Sequence, residues 1–315
     1  VLDVETGIAP ARAKLVAAFA AVYVLWGSTY LAIRFGVETI PPFLMAGTRH
    51  LTAGLLLYLW LRLRGGPRPD ARHWRTAVFI GGLMLLGGNG LVTWAERRVP
   101  SGLAALIVAS VPLWMALLDG VQKRLRPRLP VVAGLLIGLA GLLVLVAPGD
   151  FAGNGRVDPL GAGALLLAAL CWTAGSLYSR HARLPKSILT ATAMEMIGGG
   201  VLLWIAGLLF GEGSRLDLAA VSARSVLSLG YLIVFGSLIG FSAYVWLLHA
   251  TTPARVSTYA YVNPIVAVLL GWALAGEAVT LRVALATVGI VASVLLIIRY
   301  GGARARERNR KEIAA

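Results

Sequence analysis

Ten apolar runs separated by short polar interruptions make up almost the whole chain. They lie at residues 13–35, 42–63, 76–95, 102–118, 130–147, 160–180, 188–210, 226–249, 255–273 and 281–299. A hydrocarbon core of ~30 Å takes ~20 helical residues to cross, so these runs are of spanning length. The interruptions carry helix-stopping chemistry: Pro41-Pro42, Gly65-Gly66-Pro67, Pro100-Ser101-Gly102, Pro127, Pro148-Gly149, Pro185, Gly211 to Gly213, and Pro253. None of the runs alternates with the two-residue period of a barrel strand, and unpaired backbone groups are costly in lipid. The pattern therefore predicts ten transmembrane helices, antiparallel wherever the connecting loop is short.

The pattern also repeats. Trp26 and Arg34 reappear 146 residues later as Trp172 and Arg180; further on the offset is 152, pairing Gly88 with Gly240, Trp94 with Trp246 and Pro112 with Pro264. The longer loop between spans 7 and 8 accounts for the change. Two five-span units follow, 13–147 and 160–299, with a basic tail at 300–315. Five is odd, so the second unit enters the membrane upside down relative to the first, an arrangement from which many carriers build two alternating openings.

Composition sharpens this picture. Hydrophobic residues are 58% of the chain and charged ones 14%, with a mean hydropathy of +0.79. Soluble domains carry about 25% charge, so this chain lacks the polar surface to cover itself in water. Its net charge of +15 sits in loops, which argues for membrane orientation rather than nucleic acid. Of the 29 Lys and Arg residues, 21 flank the side of the two termini, 7 the other side, and Arg49 lies inside a span. That bias predicts cytoplasmic termini. Arg12 and Lys14 ahead of an apolar run resemble a signal peptide, but the run is too long and no cleavage site follows, so it is read as a retained first span. Cys171 is the only cysteine, which excludes an intrachain disulfide and a cysteine metal cluster.

Candidate chemistry is sparse. Pro112 and Pro264 fall in mid-span and free the carbonyls of Val108 and Ala260, with Ser110 and Asn263 alongside. They are read as hinges beside a midplane site, or as fixed kinks satisfied within the bundle. Helical spacing puts Trp26 with Tyr30, Asn89 with Thr93, Trp172 with Ser176, Ser242 with Trp246, and Tyr259 with Asn263 on common faces. Together with Trp94 and Ser110 these are the candidate solute-binding residues; helix-packing contacts are the plainer alternative. Tyr23, Tyr58, Trp60, Trp74 and Tyr300, near span ends, are read as interfacial anchors. Arg49 and Glu195 are the ionisable residues deep in spans, at equivalent repeat positions but opposite depths. Each is expected to cap its own end of the bundle, with a gating role as the other option. The Gly134/Gly138, Gly207/Gly211 and Gly236/Gly240 pairs read as packing sites. His50 stands alone beside Arg49, and His73, His181 and His249 are scattered, so no metal, cofactor or catalytic residue is expected. With one arginine and no lysine inside the spans, a doubly charged phosphate is disfavoured; a neutral or zwitterionic solute fits better.

Several motifs carry a family likeness. They are Trp26-Gly27-Ser28, Pro100-Ser101-Gly102-Leu103-Ala104-Ala105-Leu106, Ala109-Ser110-Val111-Pro112-Leu113, Tyr261-Val262-Asn263-Pro264-Ile265, and Gly276-Glu277. Over residues 13–299 the chain resembles the EamA family of the drug/metabolite transporter superfamily, which implies paired five-helix repeats. It departs from the pattern in the first half, where Arg124-Leu125 stands at the position equivalent to Glu277. Among such proteins it looks most like exporters of amino acids and related metabolites, aromatic ones included.

The expectation is an all-α integral membrane protein of the bacterial inner membrane, multi-pass, exporting small metabolites, chiefly amino acids, by alternating access. Its partners are then the lipid bilayer and a small solute. Broad efflux of drugs and hydrophobic compounds is the alternative, and calls for a wider, more acidic cavity. An intramembrane enzyme would need convergent groups at one depth, whereas Arg49, His50 and Glu195 divide between two leaflets. A passive channel is distinguished by its lack of saturation and counterflow.

Overall fold

The computed structural model describes residues 12–66, 68–122, 129–146, 158–251 and 253–301. The loop with Arg124-Leu125 and Pro127, the Pro148-Gly149 break, and all of the basic tail beyond residue 301 lie outside the described residues.

Ten helical spans follow one another. We number them α1 (Arg12–Gly36), α2 (Pro42–Leu63), α3 (Ala71–Ala95), α4 (Ser101–Val108 and Val111–Gln122) and α5 (Leu129–Val146). The second half holds α6 (Pro159–Ser179), α7 (Ile188–Leu209), α8 (Ala223–Ala250), α9 (Pro253–Val256 and Tyr259–Ala275) and α10 (Leu281–Gly301). Several begin before the apolar run that marks them, because a polar residue caps the first turn. Asp70 accepts from the His73 amide at 2.8 Å, Asp158 from Leu160 at 3.0 Å, and Ser222 from Ser225 at 3.2 Å. The exposed Asp158 also takes the Arg98 guanidinium at 2.9 Å, which with the Leu160 amide holds its carboxyl below the usual range.

The two halves interlock. α1 lies against α8 and α9 of the second repeat, and α6 against α3 and α4 of the first. α2 packs on α7 and α5 on α10. The contacts obey the repeat residue by residue. A Cβ on Gly54 would come 2.8 Å from the Ile197 nitrogen, and one on Gly200 2.6 Å from the Leu51 nitrogen. Gly54 and Gly200 are one offset apart, as are Leu51 and Ile197, so α2 and α7 cross backbone to backbone at the pseudo-two-fold axis. The same operation relates Arg34, whose Nη1 donates to the Glu96 carbonyl at 2.9 Å, to Arg180, whose Nη1 donates to the Leu248 carbonyl at 3.0 Å. Each arginine ties the end of its own repeat's first helix to the end of that repeat's third.

These bonds define two faces. The near face carries the start of α1 and the α6–α7 turn; the far face carries the turns after α1, α3, α7 and α9. On the far face, Gly276 closes α9 with a left-handed φ of 66° and swings Glu277 back toward α4. The Glu277 carboxylate accepts from the Ser101 amide and hydroxyl, both at 2.8 Å, and from the Gly102 amide at 3.1 Å. Glu212 does likewise for α2, accepting from the Leu44 amide at 2.9 Å.

Two departures from the sequence reading concern backbone. α4 breaks at Ala109-Ser110, just before Pro112, as a mid-span proline requires. In α9 the interruption falls at Ser257-Thr258 instead, and Pro264 lies inside a continuous helix. The two prolines therefore do not mark matching kinks. The other departure is a widened, π-helical turn in three helices, at Ala21–Leu25, Gly82–Gly90 and Leu232–Phe241. The last two are repeat partners in α3 and α8, with four glycines in the first and two in the second.

Candidate functional site

The widened segments of α3 and α8 face each other across the bundle, and the tryptophans of α1 and α6 lie on them. A Cβ on Gly240 would meet the Trp26 Nε1 at 2.5 Å, and one on Gly88 would meet Trp172 at 3.0 Å. These are the same contact in the two repeats. Each tryptophan thus packs closely on a glycine of the opposite repeat, and a cavity of about 70 Å³ remains between them. A single water needs ~10–15 Å³ by this measure, so the space holds several waters or a small polar fragment.

Aromatic rings form one wall. Trp26 meets Trp172 edge-on at 5.4 Å between centroids, Tyr259 edge-on at 5.5 Å, and Tyr244 at 4.8 Å. Such tilted and edge contacts suit the ring quadrupoles. Hydrogen bonds fix the rings: the Trp26 Nε1 donates to the Gly236 carbonyl at 3.1 Å, and the Trp172 Nε1 to the Tyr244 hydroxyl at 3.0 Å. Tyr244 in turn meets the Ser176 hydroxyl at 2.9 Å, and Ser176 donates to the Trp172 carbonyl at 2.7 Å. Every donor in that circuit is used once.

Polar groups line the rest of the cavity. Arg49, on α2 and 3% exposed, donates from Nε to the Ser237 hydroxyl of α8 at 2.8 Å. Its Nη1 points to the Asn89 carbonyl oxygen at 3.5 Å. His50 lies between the same two partners, with Nε2 3.1 Å from Asn89 and Nδ1 3.3 Å from Ser237. Since Ser237 accepts from Arg49, its own proton goes to Nδ1, and a neutral imidazole protonated at Nε2 satisfies the set. Asn263, with its amide nitrogen turned to the backbone, donates to the Tyr23 carbonyl at 2.9 Å and the Tyr259 carbonyl at 3.3 Å. Tyr23, expected at the interface, instead pairs its hydroxyl with Thr258 at the α9 break.

Of the residues singled out from sequence, Trp26, Tyr30, Asn89, Trp172, Tyr259, Asn263 and Arg49 line the cavity. The others do not. Thr93 donates to the Asn89 carbonyl, and Ser176 stands behind Trp172. Trp94 lies under the Arg98 guanidinium, 4.8 Å away at the far face. Ser110 is buried at the α4 break, with Pro112 beside it, and Trp246 is in the core. Ser242 turns its hydroxyl into protein without a partner.

Arg49 does not cap its own end of the bundle: it reaches across to α8, because Gly236 leaves room where a Cβ would come 2.6 Å from Nη2. Glu195 is 0% exposed on α7 and takes no part in the cavity. Gly236 is therefore more than a packing site, since it both admits Arg49 and accepts from Trp26.

His50, Thr29 and Tyr244 were missed. Tyr244 had a readable signal: its repeat partner Val92 lies on the face of Asn89, one turn on. His50 had none, because its partners come from other helices. Among the described residues no group of His, Cys, Asp and Glu is placed to hold a metal.

Comparison with known proteins agrees with this architecture. The sequence profile of the EamA-like transporter family matches residues 13–147 and again 159–299. YedA, an inner membrane transporter of Escherichia coli (strain K12), is 42% identical over 291 residues, 91% of each chain. The transporter YoaV of Bacillus subtilis (strain 168) is 23% identical over 90% of this chain and 96% of its own. A solved crystal structure, 22% identical, superposes with a TM-score of 0.66 over 94% of this chain and 100% of that one.

Proposed function

Because the chain belongs to the EamA-like transporter family, we propose that it is an alternating-access carrier exporting small zwitterionic metabolites, foremost amino acids. The observation that carries this reading is the cavity between the inverted repeats, which offers one buried guanidinium together with a set of aromatic rings. Arg49 supplies a planar fork for a carboxylate. The faces of Trp26, Trp172 and Tyr259 take an ammonium group through their quadrupoles, or an apolar side chain by contact. Asn89 and Asn263 supply the remaining polar contacts. A lone guanidinium is a poor match for a dianionic phosphate and a good match for a single carboxylate.

Transport follows from the symmetry. Each repeat contributes the same elements in opposite orientation, so exchanging their conformations exposes the cavity first to one side and then to the other. The charge bias of the loops supports an orientation with both termini, and the near face with them, in the cytoplasm. No nucleotide-binding motif is present, so solute or ion gradients supply the energy.

The test is counterflow. Purified protein in liposomes preloaded with an unlabelled amino acid should accelerate uptake of the labelled one, with saturation, across a panel of neutral, aromatic and basic species. Absence of exchange for every member would refute the reading, and exchange of uncharged hydrophobic compounds instead would favour broad efflux. Exchange without saturation would indicate a pore.

A further inference from the structure

Among the acids that have no acidic counterpart in the other repeat, Glu96 and Glu277 stand at the ends of α3 and α9 on the far face. Glu96 follows α3; its repeat partner is Leu248, an identity fixed in three dimensions by the matching Arg34 and Arg180 bonds to the two carbonyls. Glu277 has its partner near Arg124-Leu125. Glu277 is fully engaged in capping α4. The Glu96 side chain makes no hydrogen bond: it is 0% exposed, and neither carboxylate oxygen has a hydrogen-bond partner. Glu96 has no exposed surface, and Val99 and Ser101, next along the same turn, are 1% and 0% exposed, so the far face is closed at this carboxyl.

An ionised carboxylate taken out of water without donors is strongly disfavoured. A metal cation would need several oxygen ligands around it, whereas a proton needs only the carboxylate itself. We propose that Glu96 is a proton-binding site that latches the far face: the face closes with the proton on Glu96 and opens as the proton leaves. The proposal rests on the alternating-access reading and adds to it a control by pH on one side only, since Leu248 offers no equivalent on the near face.

The surroundings set the sign. Around Glu96 stand Tyr30 and Arg34 from α1, Arg49 from α2, and Glu277 beyond α9, with Arg282 at the start of α10 on the same face; Asp158 before α6 is paired with Arg98. Burial pushes the Glu96 carboxyl well above its ordinary range and Glu277 adds to this, while Arg34 and Arg49 oppose. Opening the face hydrates the group and returns it toward the usual glutamate value of about 4.3. Closing therefore takes up a proton. The closed state is favoured at low pH, and above about 4.3 the ratio of closed to open falls by up to about tenfold per pH unit until the closed-state value is reached.

The experiment uses the full chain in lipid nanodiscs with Cys171→Ser and spin labels at Arg97→Cys and Ala278→Cys, in the turns after α3 and α9. Electron–electron distances are measured from about pH 5 to about pH 8, spanning the range above an exposed glutamate. The wild-type site should show a short-distance population that gives way to a longer one as pH rises. Glu96→Gln should hold the short distance throughout, and Glu96→Leu, the residue the other repeat uses here, should do the same. A wild-type distribution that ignores pH overturns the latch, as does a pH response retained in full in both variants. A shift reproduced by sodium at fixed pH would also overturn it, assigning the site to a metal cation. Intact counterflow with an invariant distance sinks the latch alone; loss of counterflow in the wild-type chain sinks the carrier reading.

Discussion

Arg49 draws its role from neighbours remote in sequence. Its Nε bond reaches Ser237, 188 positions away, and Asn89 and His50 complete the set. Hydrogen bonds to charged groups contribute about 1.5–3 kcal/mol, so Arg49→Gln should raise KM for carboxylate-bearing solutes by about 10- to 100-fold. Decarboxylated analogues should be spared. Comparing exchange of an amino acid with that of its amine checks this, and equal losses for both would remove Arg49 from solute contact. Asn263→Ala should lower flux while expression stays near normal; unchanged flux would remove that residue too. At this scale the sequence was readable where a polar or aromatic residue shared a helical face with another, as Trp26 does with Tyr30. It was unreadable where the face was right but the hydroxyl turned away from the cavity. Thr93 shares a face with Asn89 and still spends its hydroxyl on backbone, and Ser242 turns into protein.

At the scale of elements, glycine decides which helices meet. The α2–α7 crossing leaves no room for a methyl group on either side, because the opposing atoms are backbone nitrogens. Overpacking of this kind costs about 1–3 kcal/mol. Gly54→Ala and Gly200→Ala should each lower the melting temperature in detergent, and by similar amounts, since they are one contact seen twice. A loss confined to one of the pair would argue against the two-fold relation at that crossing. The α4 break makes a different prediction. Pro112→Ala restores the missing donor and allows the helix to run through Ala109-Ser110, so thermal stability should hold or rise while the counterflow rate falls. An unchanged rate would show that the break is a fixed shape and not a moving part. The widened turns of α3 and α8 could not be anticipated, because each meets a tryptophan of the opposite repeat that only the folded arrangement brings to it. Their glycines alone, such as Gly88 and Gly240, read equally well as ordinary packing.

For the whole molecule, the near and far faces make a labelling prediction. With Cys171→Ser as background, Arg183→Cys in the α6–α7 turn should react only from the cytoplasmic side and Arg215→Cys, after α7, only from outside. Reaction of both from one side would reverse the proposed arrangement. The number of spans, their order, the inversion of the halves and the loop charge bias all come from local properties: apolar length, helix stops, and identities such as Trp26 with Trp172 that recur at fixed offsets. Those are written along the chain because hydrocarbon enforces them one segment at a time. The site was settled elsewhere. Which faces of α1, α2, α3, α6, α8 and α9 look into the cavity depends on how the two repeats interlock, and the sequence holds no record of an angle between helices. Equivalent positions show this most plainly. Arg49 and Glu195 occupy the same place in their repeats and both are buried, yet one lines the cavity and the other does not. Glu96 and Leu248 are likewise both buried, and the carboxyl differs in being enclosed without a hydrogen-bond partner. The sequence supplies the side chain and tertiary contact its surroundings, because burial and pairing are properties of the space around it.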